Sequence, residues 1–170
     1  MLKKIDLVKY FSDGIKLKGS EKIGTEHEKF IYNKNDLSLI PFSGDKSIST
    51  VIRKFVEDGW TAVKEEGQIV GATKNGASIT LEPGGQFELS GAPLNNLHET
   101  CREINDHLSF TKSIEEELGI GFLGIGFIPL GNFDDMPKVP KKRYQQIMTP
   151  YMRKVAVSYT HLTLPTKRIV

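Results

Sequence analysis

Apolar positions recur along this chain at two periods, and the switch between them marks out its elements. Ile48, Val51, Ile52, Phe55 and Val56 fall at helical spacing behind Ser47, a good N-cap, and ahead of Gly59, a stop. The spacing predicts a helix from Ser47 to about Asp58. Alternation then takes over. Thr61–Glu65, Gln68–Thr73 and Ala77–Glu82 read as three short strands, with turn signals at Glu66-Gly67 and Lys74-Asn75-Gly76, so an antiparallel meander is expected. In its third strand Ala77, Ile79 and Leu81 share one face, and Ser78, Thr80 and Glu82 the other. Past Pro83-Gly84-Gly85 the alternation resumes, with Gln86, Glu88 and Ser90 on the polar face against Phe87 and Leu89.

The flanks follow the same logic. Lys22–Tyr32 alternates, so Glu26 and Glu28 share one strand face, opposite Thr25, His27 and Lys29. Pro93 suits a first helical position. A long helix is expected from there to Leu118, with Leu94, Leu97, Cys101, Ile104, Leu108, Ile114 and Leu118 as its buried stripe and Gly119 as its end. Gly121–Phe127 reads as a central strand whose glycines admit close approach by a backbone or ligand. Short helices are expected at Lys3–Phe11 and Arg143–Tyr151, with a Pro- and Lys-bearing loop over 128–142.

Composition narrows the class. The 170 residues suffice for one domain with a sizeable core, and a net charge of +2 argues against nucleic acid or an anionic membrane surface as partner. No apolar run approaches the length of a membrane span, and the N-terminus lacks a secretory signal. Cys101 is the single cysteine, so no internal disulfide forms, and a reducing cytoplasm is the expected compartment.

The candidate chemistry lies in Leu81–Gly91, where Glu82 and Glu88 flank a Pro-Gly-Gly turn on one polar face. Glu26 and Glu28 supply two more carboxylates at strand spacing. Taken singly, Glu26 and Glu28 read better as a solvated strand face, and Glu82 and Glu88 read equally well as hairpin flanks. On alternating strands with apolar backs, the four together point to a cation site of hard oxygen donors, and so to a metal–nucleotide enzyme. Gln86 shares the face of Glu88 and is a candidate substrate contact; Gly84 and Gly85 permit the turn and offer amides to an anion. His27 falls on the opposite face and is expected to be structural. Cys101 is expected to be a buried inert thiol, and His98 and His107 solvent-side residues. Lys138, Lys141, Lys142 and Arg143 read as a basic surface loop.

Four segments, in order, carry a resemblance: Gly24-Thr25-Glu26-His27-Glu28, the run Leu81–Gly91, Leu97-His98-Glu99-Thr100-Cys101, and Gly119–Phe127. Together they resemble the plant-type glutamate–cysteine ligases, a type also found in bacteria, with Arg143-Tyr144 and Tyr151-Met152 as a further landmark. The resemblance spans roughly Gly19 to Val155. It implies an α+β, glutamine-synthetase-like fold: an antiparallel sheet whose one face forms the active site, with helices on the other. It further implies the first step of glutathione synthesis, in which ATP phosphorylates the side-chain carboxylate of L-glutamate and the amine of L-cysteine displaces phosphate. By the same resemblance Glu26, Glu28, Glu82 and Glu88 are magnesium ligands, ATP and Mg2+ are required, and Arg143 is a substrate or nucleotide contact. A related glutamate–amine ligase and a non-catalytic magnesium–nucleotide domain on the same scaffold are the alternatives; the oligomeric state is not legible. Residues 1–156 are expected to be the N-terminal part of the catalytic domain. Residues 157–170 resemble one reading frame of a transposon adapter used for sequencing libraries, and a non-native tail is expected there. Lys167 and Arg168 of that tail account for the net charge. The chain as written is expected to be inactive alone.

Overall fold

A computed structural model describes residues 2–131, 135–148 and 150–151. The tail expected at 157–170 and Met152 of the landmark lie outside the described residues. In chain order the elements are α1 (Lys4–Asp13), β1 (Glu26–Asn33), α2 (Ile48–Glu57), β2 (Thr61–Glu65), β3 (Gln68–Lys74), β4 (Ala77–Leu81), β5 (Phe87–Ser90), α3 (Leu97–Leu118) and β6 (Ile120–Leu123). A short 3-10 turn, Pro83–Gly85, joins β4 to β5, and a π-helical turn covers Arg143–Met148.

The strands form one antiparallel sheet in the order β2-β3-β4-β5-β1-β6. The meander is as expected. Glu66 and Gly67, and again Asn75 and Gly76, all adopt positive φ, the backbone that tight hairpin turns require. Ser47 caps α2, its hydroxyl accepting from Thr50 N, and Ile48, Val51, Ile52 and Phe55 are buried. They pack on the face of the sheet formed by Ile79, Leu81, Phe87 and Leu89. Phe55 is the hub of this core, meeting the rings of Trp60, Phe87, Phe110 and His107 at 4.8–6.0 Å. Helices α2 and α3 therefore cover one face, giving the expected α+β class. Helix α1 buries none of its residues.

Three expectations are corrected. Helix α3 starts at Leu97 behind the N-cap Asn96, whose side chain accepts from Glu99 N, so the cap and not Pro93 sets its first turn. Its buried face is Thr100, His107, Thr111 and Ile114, whereas Leu97 and Leu108 are exposed and so is Cys101. The cause lies on β1. Its inner side carries His27 and Lys29, so α3 turns polar groups towards it. Lys29 Nζ donates to His107 Nε2 at 3.1 Å, and the His107 ring stacks on Phe87. Finally, the glycine-rich run supplies only the four-residue β6, at the end of the sheet rather than its centre. Gly121 leaves room there for the Tyr32 ring, which a Cβ would push aside.

Burial, with Lys29 next in effect, depresses the His107 pKa from 6.5 to about 3. The folded state thus keeps this ring neutral, while the unfolded chain protonates it near its ordinary value. Between those two values the unfolded state binds more protons. The contribution is therefore complete above about pH 6.5 and lost as pH falls towards 3, with an upper bound of about 5 kcal/mol. Urea midpoints measured from pH 7 to pH 4 are expected to fall more steeply for the wild type than for His107→Phe. Parallel profiles would contradict this assignment.

Candidate active site

The face of the sheet away from the helices carries the carboxylates. Glu28 on β1 stands opposite Glu88 on β5, Glu26 opposite Ser90, and Thr80 on β4 opposite Glu88. Gly91 N donates to Thr25 O at 2.6 Å, which makes Thr25 and Gly91 a hydrogen-bonded pair. Counting along the ladder, Glu28 and Glu88 fall in a non-hydrogen-bonded pair, the kind that brings opposed side chains closest. Two like charges so placed repel.

Glu88 is the most enclosed of the four, 9% exposed. Thr80 Oγ1 donates to its Oε2 at 3.0 Å and Ser90 Oγ to its Oε1 at 2.7 Å. A carboxylate accepts about four hydrogen bonds, so both oxygens retain lone pairs for a cation. Gln86 Nε2 donates to Glu28 Oε2 at 3.0 Å, fixing the second carboxylate. Glu82 lies at the head of the turn and is drawn elsewhere, towards Arg143 (3.6 Å) and the Tyr144 hydroxyl (3.4 Å).

The turn is held by its own backbone. Gly85 N donates to Glu82 O at 3.1 Å and Glu82 N to Gln86 O at 2.8 Å, so the Gly85 amide closes the turn rather than facing outward. Gly84 and Gly85 both have φ near +78°. A Cβ on Gly85 would also collide with Ile48 and crowd Pro137, so the glycine lets the turn settle on α2 and the 135–140 segment. Of the basic loop, Lys141 Nζ donates to Leu81 O at 2.7 Å, and Tyr144 is buried with its hydroxyl 3.0 Å from the same oxygen. Burial, then Arg143, lowers the Lys141 pKa, opposed by Glu82, Glu65 and Glu88. Arg143 itself is exposed, its NH2 donating to the Tyr144 hydroxyl at 2.8 Å.

The expected glutamates thus share one side of the sheet, with Glu28, Glu88 and Gln86 brought together, Glu26 two residues away on β1 and Glu82 at the turn. Among the described residues no group of three or more His, Cys, Asp or Glu is arranged to hold a metal ion. Magnesium does not demand one, because it is usually held by one or two carboxylates, waters and substrate phosphates. The hard-oxygen pair Glu28–Glu88, already opposed and like-charged, fits that use. Clefts of about 380 and 410 Å3 lie elsewhere, at the β3–β4 turn and between α3 and β6. Thr80, Ser90, Lys141 and Tyr144 were not singled out as site residues from the sequence. Thr80 and Ser90 were legible as face-mates of Glu88; the reach of Lys141 and Tyr144 to β4 was not.

Comparison with known proteins follows the same residues. The family model described as "Glutamate-cysteine ligase family 2(GCS2)" matches residues 22–166. The chain is 46% identical over 161 residues to "Glutamate--cysteine ligase, chloroplastic" of Arabidopsis thaliana, covering 95% of this chain and 30% of that protein. It is 47% identical over 154 residues to "Glutamate--cysteine ligase A, chloroplastic" of Oryza sativa subsp. japonica, covering 91% and 31%. With "Glutamate--cysteine ligase, chloroplastic" of Medicago truncatula it shares 48% over 155 residues, covering 91% and 30%. The chain spans about 30% of the length of these relatives. All three are chloroplastic by name, which overturns the expected cytoplasmic location.

Proposed function

The chain belongs to the glutamate-cysteine ligase family 2, and from that premise we propose that its sheet carries part of the magnesium–nucleotide site of an ATP-dependent ligase. The reaction joins the side-chain carboxylate of L-glutamate to the amine of L-cysteine. A glutamate carboxylate oxygen takes the γ-phosphoryl group of ATP, and the cysteine amine then attacks the acyl carbon and expels phosphate. We read the sheet as part of a glutamine-synthetase-like fold, and the relatives' names point to a plastid as its compartment.

The observation that carries this reading is the pairing of Glu28 with Glu88 across two strands, with hydroxyl and amide donors holding both carboxylates. Bound magnesium would neutralise phosphate charge here, which is most of what phosphoryl transfer needs from a protein. Glu88 and Glu28 would be its first holders, with Glu26 and Glu82 flanking them on the same side. Thr80 and Ser90 keep the Glu88 carboxylate from rotating, so its oxygens are preorganised on a rigid strand. Gln86 and Arg143 stand at the turn end, where an amide and a guanidinium fork suit a substrate carboxylate or a phosphate.

The proposal is tested by γ-glutamylcysteine formation in the full-length protein against a panel of amines. A different preferred amine indicates a related glutamate–amine ligase, and nucleotide binding without ligation a non-catalytic domain. Relief of the repulsion gives a second test. In EDTA, Glu28→Gln is expected to stabilise the fold by about 0.5 kcal/mol, while the added stability that magnesium–ADP gives the wild type disappears. Thermal shift assays with and without magnesium–ADP check both; a destabilised variant that magnesium–ADP still stabilises would contradict them.

A further inference from the structure

Glu82 is the one expected ligand not set by the strand ladder alone, because it sits where β4 ends and the turn begins. Its backbone is pinned on one side by the hydrogen bonds to Gln86 and Gly85. On the other side, two donors from a distant segment converge on the carbonyl immediately before it. Lys141 Nζ reaches Leu81 O at 2.7 Å and the Tyr144 hydroxyl reaches it at 3.0 Å, across 60 and 63 residues of chain.

A phenol has one proton. Arg143 NH2 donates to the Tyr144 oxygen at 2.8 Å, which leaves that proton for Leu81 O at 3.0 Å or for Glu82 Oε2 at 3.4 Å. The two lone pairs of the Leu81 carbonyl are matched by one ammonium and one hydroxyl donor. Tyr144 is 7% exposed and Lys141 half-buried, so both donors act where water competes poorly. The same segment is anchored at a second point, Lys142 N donating to Glu65 Oε2 at 3.0 Å on β2. Met136 and Pro137 close over Gly84 and Gly85.

We infer that Lys141 and Tyr144 are positioning residues. Through the Leu81 carbonyl they fix the end of β4, and with it the backbone position from which the Glu82 side chain, resting here against Arg143 at 3.6 Å and the Tyr144 hydroxyl at 3.4 Å, can turn to a divalent cation. Arg143 orients the Tyr144 hydroxyl for that task. This rests on the reading of Glu82 as a magnesium ligand, so the experiment separates the two.

Mn2+ binding is measured by electron paramagnetic resonance in the full-length protein, alongside the magnesium activation constant and kcat for ligation. The variants are Glu82→Gln, Lys141→Met, Lys141→Arg and Tyr144→Phe. Loss of a hydrogen bond of this kind is expected to weaken Mn2+ binding about fivefold in Tyr144→Phe and about tenfold in Lys141→Met. The magnesium activation constant rises in parallel and kcat changes less. Lys141→Arg, which keeps a cationic donor, recovers most of the loss. If Glu82→Gln weakens Mn2+ binding but Lys141→Met and Tyr144→Phe do not, the positioning role is wrong and the ligand reading stands. If Glu82→Gln leaves Mn2+ binding intact, the ligand reading of Glu82 fails and the positioning role with it. Should Tyr144→Phe not fold, Lys141→Met at its less buried position decides the matter alone.

Discussion

Glu88→Ala is expected to lower ligation by the full-length protein by about 10²- to 10³-fold, the usual loss when a preorganised electrostatic group is removed from a reacting centre. Glu88 is the carboxylate that the sheet holds most firmly. It is nearly buried, it receives both Thr80 and Ser90, and it opposes Glu28 across the closest kind of strand pair. Its removal leaves the two hydroxyls partly exposed, where water replaces the lost acceptor, and it relieves the repulsion with Glu28. The fold is therefore expected to change by no more than about 1 kcal/mol. Steady-state ligation together with the thermal midpoint separates these effects. A comparable fall in both would mean that Glu88 is structural.

Phe55→Ala has the opposite profile. The ring fills the space between Trp60, Phe87, Phe110 and His107, and it is 1% exposed. Truncation removes the contact that joins α2 both to β5 and to α3. The expected cost is about 3–5 kcal/mol, a large part of the 5–15 kcal/mol that typically holds a domain folded. Phe55→Leu, which fills more of the space, is expected to lose clearly less. Urea unfolding of this chain measures both, and a loss under about 1 kcal/mol for Phe55→Ala would show that the hub is not a keystone of packing. Because Phe87 sits between Glu88 and this hub, cation binding is expected to fall only in step with unfolding.

What the sequence made legible follows from where local chemistry decides. The meander could be read because each hairpin carries its own turn residues and each strand its own alternation. The polar face followed, since a period of two places Thr80, Glu82, Gln86, Glu88 and Ser90 without any tertiary knowledge. Helix α3 was misjudged because its orientation depends on its partner. The inner side of β1 presents His27 and Lys29, so the helix buries His107 and Thr111 and leaves Leu97, Leu108 and Cys101 outside. Apolar periodicity alone finds Ile114, with Leu94 and Leu118 packed partly against the core, and misses the polar members of that face. The glycine run looked central because it is apolar on both sides, but Gly121 serves the Tyr32 ring at the end of the sheet. The contacts of Lys141 and Tyr144 with Leu81 O join residues 60 and 63 positions apart. No local pattern encodes such a distance, so those residues read only as a basic loop.

The central claim is that the paired carboxylates of β1 and β5 hold a divalent cation for a nucleotide. Its most direct test is Mn2+ binding, in the presence of ATP, to the full-length wild type and to the double variant Glu28→Gln/Glu88→Gln, read by electron paramagnetic resonance. The account predicts nucleotide-dependent Mn2+ binding in the wild type and its loss in a double variant that remains folded. Equal stoichiometry and affinity in the two proteins would contradict it.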